Sequence, residues 1–370
     1  MLHYEMNSRG SALILSYMVI VVLTLLGSAY MASSISESNI ARRYSDSRCA
    51  FWIAEAGLAQ AYHDWVSNPN YSGATASFGG GSYTVTKNPY SPETTVTANF
   101  GSGQKVVKAN FVRIPLPFEN TISAGDNLSL AGLLARVEVY GKTRISGAYS
   151  KTRGASGSFE DKQEGVPQSQ TTIPIPDYNN NGTADEFGDF VEFGREAVAG
   201  YPSDEVVYIQ TNGTVNIFPN QSLVGKKVIF VEGSSPGAGN VNIFFDGNWQ
   251  EGEDLTVIST GDITYLEPLQ FQEEARLSTV SWGDYNEASI FRSEHESVIY
   301  AHDDANFVDI LDWGSTTGNI IASDDISLLE VLTYEKYYYS SRAYNGDLPP
   351  GFQHLSGSSG RVRVMDWQQP

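Results

Sequence analysis

From Ser11 to Ser36 the chain carries no formal charge, and the apolar side chains run almost unbroken from Leu13 to Leu26. A helix rises about 1.5 Å per residue and about 20 apolar residues cross the hydrocarbon of a bilayer, so Ser11 to Tyr30 is predicted to span a membrane. Beyond Ser36 an amphipathic pattern continues to Val66 with no proline in it. The prediction is one helix over 11–67, its first part in lipid and the rest standing out as a stalk.

Asn68-Pro69-Asn70 and Gly79-Gly80-Gly81 end the helical period. Ser82 to Lys87 then alternates as a strand, and Thr94 to Arg113 reads as two β runs around Gly101-Ser102-Gly103. A small antiparallel β region over 68–114 is therefore expected against the outer helix. From Pro115 onward short β runs recur with glycine or Asx corners: Thr121 to Leu130, Arg136 to Tyr140, Val206 to Phe218, Lys227 to Glu232, Asn240 to Asp246, Asp254 to Tyr265, Ser297 to Ala301 and Gly318 to Leu332. Gly125-Asp126-Asn127-Leu128, Gly261-Asp262-Ile263 and Ser323-Asp324-Asp325-Ile326 each place Asp or Asn in a corner just ahead of an Ile or Leu.

Recurrence at about 20 to 30 residues suggests a β-solenoid, in which each rung buries its inward side chains against its neighbours. The spacing is irregular, and a β-sandwich is the alternative. The expected fold class is α+β: a long N-terminal helix, a small antiparallel sheet, and a mainly β outer domain over 115–370. A polar, proline-punctuated insertion at about 156–202 interrupts that domain.

Arg9-Gly10-Ser11 ahead of the apolar segment, with Ala54-Glu55-Ala56-Gly57-Leu58 further on, resembles a prepilin. Such an Ala-Glu-Ala-Gly-Leu run is usual in PilX-like minor pilins and in the K-type pseudopilins of type II secretion. A secretory signal would instead end its apolar region at a small-residue cleavage site. The resemblance implies a leader of residues 1–10, cleaved after Gly10 by an inner-membrane prepilin peptidase, and methylation of the new N-terminal Ser11. It implies filament packing through Leu13, Leu15, Val19, Leu23 and Leu26. The implied partners are other pilins or pseudopilins, the peptidase, an inner-membrane assembly platform, and membrane lipid before assembly. Major pilins carry a glutamate at the fifth mature residue, whereas the fifth here is Leu15; PilX-like and K-type proteins also tend to lack that glutamate. The resemblance is thus to a minor subunit and covers about the first third of the chain. K-type heads are expected to be largely helical, and this one reads as β. A plain single-pass anchor is the simpler alternative for the helix.

Charge narrows the partners. With 43 acidic against 23 basic side chains, a net charge of −20 and a pI near 4.5, the surface repels phosphate backbones, so nucleic acid is not expected as a partner. The densest basic cluster after the stalk is Arg361 and Arg363 with Lys105 and Lys108. Arg9 before the span and Arg42, Arg43 and Arg48 after it give the positive-inside rule little to act on. The leader places the outer domain outside the cytoplasm, on the cell surface or pilus after assembly. The single cysteine, Cys49, excludes an intrachain disulfide and reads as a small packed stalk residue, with an intermolecular or reactive thiol as the alternative.

Candidate chemistry is sparse. Asp177, Asn179, Asn181, Thr183 and Asp185 stand at the spacing of the front half of an EF-hand or dockerin calcium loop, with Gly182 at the tight turn. Its twelfth position is Gly188 where a bidentate glutamate belongs, so closure would need Asp189, Glu186 or a distant acid. A metal-free Asx turn explains the same residues. His295, His302 and His354 have no metal-ligand spacing, and no nucleophile elbow or phosphate loop occurs. Asp303-Asp304 and Asp324-Asp325 suggest polysaccharide chemistry only weakly, since adjacent strand residues point to opposite faces. Tyr334, Tyr337, Tyr338 and Tyr339, and Trp249, Trp282, Trp313 and Trp367, are candidates for sugar or protein contact, with core filling as the alternative. The expected function is a noncatalytic minor pilin or pilin-like subunit acting in assembly or at the tip of a type IV pilus or related filament. A type II secretion pseudopilin is the near rival, and a membrane-anchored solenoid enzyme or lectin the alternative from another class.

Overall fold

Helix α1 spans Ser8–Ser67, 60 residues and about 90 Å at helical rise. The computed structural model describes residues 8–68, 71–87, 93–178, 181–218, 223–244, 253–266, 275–289, 294–311, 314–344, 347–352, 355 and 361–368. By internal contacts the chain forms two units, one built on α1 and the strands up to Ala109, the other running from Asn110 to Asp366.

In the first unit, strands Thr75–Phe78, Gly81–Lys87, Glu93–Phe100 and the front of Gly103–Ile114 form an antiparallel meander. The turn between the third and fourth strands is the Gly101-Ser102-Gly103 turn read from the sequence. Ala50, Ile53, Ala54, Leu58, Ala61 and Trp65 recur at three- and four-residue steps and form the buried stripe of α1. Tyr83, Val85, Val96, Ala98 and Val107 form the buried face of the sheet. Gly57 brings helix and sheet close: a Cβ there would meet the Tyr83 ring at 2.8 Å and Val96 Cγ1 at 2.9 Å. The Ala-Glu-Ala-Gly-Leu run therefore has a packing role in this chain.

The second unit is a parallel β-solenoid of about nine turns, not a sandwich. Each of the first six rungs contributes one strand to a ten-stranded sheet and one to an eight-stranded sheet: Val206–Gln210 and Val215–Ile217, Val228–Glu232 and Val241–Phe244, Asp254–Ser259 and Ile263–Leu266, Arg276–Ser281 and Tyr285–Ser289, Glu294–Ala301 and Ala305–Ile310, Ser315–Ala322 and Ile326–Val331. The stacking order then departs from chain order. Tyr334–Tyr339 pairs with the front half of Ser315–Ala322, whereas Ile122–Ala124, from the start of this unit, pairs with its back half. Leu128–Leu133 continues that seventh rung. Ala135–Ile145 with Tyr149–Lys151 makes the eighth, and Ala155–Glu164 pairs with Ala135–Ile145 as the last. The first residues expected in the polar insertion, from Ser156 to Glu164, are thus a solenoid strand.

The two sheets bury differently. Helix α2, Phe187–Ala199, comes from the rest of the insertion and packs on the outer face of the ten-stranded sheet over Val206–Gln210 and Val228–Glu232, while Phe118, Ile173, Ile175 and Phe352 cover more of that face. Phe190, Phe193 and Ala197 join Val228, Phe230, Ile258 and Val280 in one apolar cluster. With both faces covered, Arg276–Ser281 is buried at every residue. The eight-stranded sheet keeps one wet face and alternates, as in Tyr285–Ser289.

The corner leading into the eight-stranded sheet is an Asx ladder. Asn240 Oδ1 accepts the backbone N–H of Asp262 at 2.9 Å, Asp262 that of Asp284 at 3.1 Å, and Asp284 that of Asp304 at 3.2 Å. Asp304 accepts Asp325 N–H at 3.0 Å, and Asp325 accepts Asn127 N–H at 2.8 Å. Asp262, Asp325 and Asn127, noted at corners in the sequence, are steps of this ladder. At the opposite corner Leu311, Leu332 and Leu134 take left-handed backbone with φ of 56°, 57° and 54°. Leu311 and Leu332 donate their N–H groups to Val331 and Leu133 of the next rung. Three successive rungs therefore turn the same way without glycine.

Candidate functional site

Helix α1 is the one helix among the described residues that is long and apolar enough to cross a membrane. Gly10 and Ser11 lie near its start. Leu13, Leu15, Val19, Leu23 and Leu26 are all exposed, so the surface expected to enter lipid or a helix bundle is uncovered among the described residues. Above the apolar run α1 is fastened to its own unit by Asp46, which accepts the backbone N–H and the hydroxyl of Ser102. Cys49 lies half-buried on the same stretch.

The candidate calcium loop is a capped turn leading into α2. Asp177 accepts the backbone N–H of Asn181 at 3.0 Å through Oδ1 and that of Gly182 at 2.8 Å through Oδ2. Asn181 accepts Thr183 N–H and donates its amide to Glu186. Asp185, at φ 67°, accepts Ile175 N–H at 3.1 Å and lies 3.5 Å from His302 Nε2. Burial would raise its carboxyl pKa, but the His302 and Ile175 contacts outweigh burial and hold it below the ordinary value. Asp189, the acid nearest the missing twelfth ligand, is fully buried and accepts Glu186 N–H in the capping box of α2. Asn179 lies outside the described residues. The described residues fit a helix-entry turn better than a calcium shell.

The paired acids stand at the Asx corner. Asp304 and Asp325 are ladder steps, and Asp126, Asp324 and Asp325 bring carboxylate oxygens within 4.8 Å of one another. Burial first, then repulsion from Asp304, Asp325, Asp126 and Asp303, raises the Asp324 pKa. Asp284 is raised likewise by burial and by Asp262, Asp304 and Asp303.

A second set of acids went unread in the sequence. Glu287, Asp309, Glu330 and Glu335 are buried inside the solenoid, with Asp309 and Glu330 register partners on neighbouring strands. Tyr285 donates its hydroxyl to Glu287 at 2.8 Å. Tyr337 points inward, and burial, then Glu330, Asp309, Glu335 and Glu287, push its hydroxyl pKa well up. The signal was strand alternation: Ala305, Phe307 and Asp309 share one parity, as do Ile326, Leu328 and Glu330.

The remaining aromatic candidates divide between core and surface. Tyr334 and Tyr338 are partly exposed, Tyr338 stacks on Tyr140 at 4.9 Å, and Glu138 accepts the hydroxyls of Tyr140 and Tyr334. Trp282 stacks on His302 at 3.8 Å beside Phe187 and Phe190 of α2. Trp249, Trp313 and His354, and the side chains of His295 and Trp367, lie outside the described residues.

Residues 9–59 match the sequence model of the PilX N-terminal family. The N-terminus is pilin-like. The match covers the helix from ahead of the expected cleavage point through the Ala-Glu-Ala-Gly-Leu run, and it supports a pilus-related role and interaction with other pilins. It is compatible with a single-pass membrane anchor. No curated protein sequence is significantly similar to the whole chain. Among solved structures, an ice binding protein from an Antarctic Biological Consortium is similar at 13% identity and a TM-score of 0.33, over 60% of this chain and 91% of that one. An ice-binding protein domain from Shewanella frigidimarina matches at 12% identity and a TM-score of 0.32, over 61% and 97%. The competence-associated pilin ComZ from Thermus thermophilus matches at 11% identity and a TM-score of 0.26, over 88% of this chain and 97% of that one. At these identities and scores the likenesses assign no ligand and no partner to the pilin-like chain.

Proposed function

We propose that the protein is a noncatalytic minor pilin-like subunit of a type IV pilus or a related secretion filament. The observation that carries the reading is the PilX N-terminal match at residues 9–59, on a helix whose apolar half is exposed throughout. In this reading a prepilin peptidase cuts after Gly10, the new terminus at Ser11 is methylated, and α1 holds the subunit in the inner membrane with its outer part outside the cytoplasm. Assembly then transfers Leu13, Leu15, Val19, Leu23 and Leu26 from lipid into a bundle of like helices. Lipid and a helix bundle are about equally apolar, so packing rather than hydrophobic transfer drives that step. A large solenoid on a slim helix is awkward to repeat along a tight shaft, which favours a low-abundance or tip position.

The test is immunogold labelling of sheared filaments from cells expressing the full-length chain. Labelled filaments support the reading, and unlabelled filaments beside protein retained in the membrane would leave a simple anchor. Leu23→Asp should abolish both membrane retention and labelling, because an acid at a helix centre costs about 2.5–3.5 kcal/mol on insertion scales.

A further inference from the structure

Beside its buried stripe, α1 carries Ile40, Tyr44, Arg48 and Trp52 at four-residue steps, which places them on one face. Tyr44 is 71% and Trp52 60% exposed. Where this face meets the strand Gly103–Ile114, Tyr44, Ser47, Arg48, Phe51, Trp52 and Lys105 line a groove of about 440 Å³. Its charged side chains are both cations, and among the described residues neither Arg48 nor Lys105 has an ion-pair partner. Asp46, two residues from Arg48, is instead held by Ser102, whose N–H and hydroxyl each donate to it at 3.0 Å. On a chain of net charge −20 this aromatic, cationic groove is complementary to an acidic partner.

We infer that the groove receives an acidic segment of a neighbouring subunit in the filament, its carboxylate on Arg48 and Lys105 and an apolar neighbour on the Trp52 ring. The inference rests on the pilus reading above. A guanidinium and an ammonium beside aromatic faces suit a carboxylate with an adjoining apolar side chain. Lipid headgroups are out of reach while the helix is in the membrane, since about 25 Å of helix separates Met31 from Arg48. Two cations on so acidic a chain are too few to hold a phosphate backbone.

The test places a photo-crosslinking amino acid at Ser47 of the full-length chain and illuminates sheared filaments. The expected product joins residue 47 to one filament subunit through a segment containing Asp or Glu. Arg48→Glu with Lys105→Glu should cut incorporation into filaments about tenfold, and changing the crosslinked acid to Lys should restore it. The milder pair Arg48→Gln and Lys105→Gln should lower incorporation while leaving the melting temperature of the detergent-solubilised chain unchanged, which separates docking from misfolding. Crosslinks only to lipid or nucleic acid, crosslinks to a segment without acids, or full incorporation of the charge-reversed chain would overturn the inference. Absence of the wild-type chain from filaments would overturn the pilus reading, and the groove's occupant with it.

Discussion

Asp46 Oδ2 accepts two hydrogen bonds from Ser102, one from the backbone N–H and one from the hydroxyl, each at 3.0 Å. The contact ties the outer half of α1 to the turn between two strands. The glycines flanking Ser102 permit that approach: a Cβ on Gly101 would lie 2.6 Å from Asp46 Oδ2, and one on Gly103 2.6 Å from the Asp46 carbonyl carbon. The Ser102 N–H, then its hydroxyl, hold the Asp46 carboxyl below its ordinary pKa, with Arg42 adding to the effect.

A depressed carboxylate contributes stability that is present above its unfolded pKa of about 3.8 and is lost as pH falls through the lower folded value. Asp46→Asn should therefore lower the unfolding midpoint of the first unit at pH 7, and the deficit should shrink in acid below pH 4. Melts of the detergent-solubilised chain across that range, followed by tryptophan fluorescence, measure it. An equal deficit at every pH would show that shape rather than charge sets the contact.

Gly57 sets the distance between helix and sheet. Gly57→Ala gains up to about 1 kcal/mol of helix propensity, but overpacking a tight contact costs about 1–3 kcal/mol. With the Tyr83 ring and Val96 Cγ1 both inside 3.0 Å of the new Cβ, the clash should win. The expected outcome is a lower denaturant midpoint, and a raised one would mean that the sheet moves aside freely.

The stalk and first sheet were legible because their patterns are local: an uncharged run, a helical stripe from Ala50 to Trp65, and a Gly-Ser-Gly turn between alternating strands. The solenoid was legible from its corners, where Asp262, Asp325 and Asn127 precede inward aliphatic residues. Arg276–Ser281 went unread because both faces of its sheet are covered, which removes alternation. The stacking of Ile122–Ala124 against Ile320–Ala322 is a pairing between distant segments that leaves no local mark. At the candidate calcium loop the spacing of oxygens was visible, but their use by backbone N–H groups was not.

The Asx corner should respond to charge and to hydrogen bonding in opposite ways. A carboxyl with a raised folded pKa, as at Asp324, contributes stability that is present below its unfolded value of about 3.8 and is lost as pH rises through the folded value. Asp324→Asn should thus raise the melting temperature at pH 7 by a degree or so, about the scale of a weak exposed charge contact, and the gain should fade toward pH 4. Asp284→Ala should instead destabilise by about 1–3 kcal/mol, because the Asp304 N–H loses its acceptor, whereas Asp284→Asn keeps it. If alanine and asparagine at 284 proved equal, the ladder would carry no stability.

At the loop before α2, Asp177→Ala removes the acceptor of two backbone N–H groups and should lower the melting temperature in the presence of chelator. Wild-type protein should melt alike in chelator and in several millimolar calcium, a range that covers extracellular sites of about 10⁻⁴ to 10⁻³ M. A saturable upward shift with calcium, abolished by Asp177→Ala, would restore the metal reading.

Processing separates a pilin helix from a plain membrane anchor. Mass spectrometry of the protein from sheared filaments, in cells with a prepilin peptidase, reads its first residue directly. The expected mature chain begins at Ser11 and carries one added methyl group on its amine. A chain in those cells that retains residues 1–10 and is found only in the membrane would contradict that expectation.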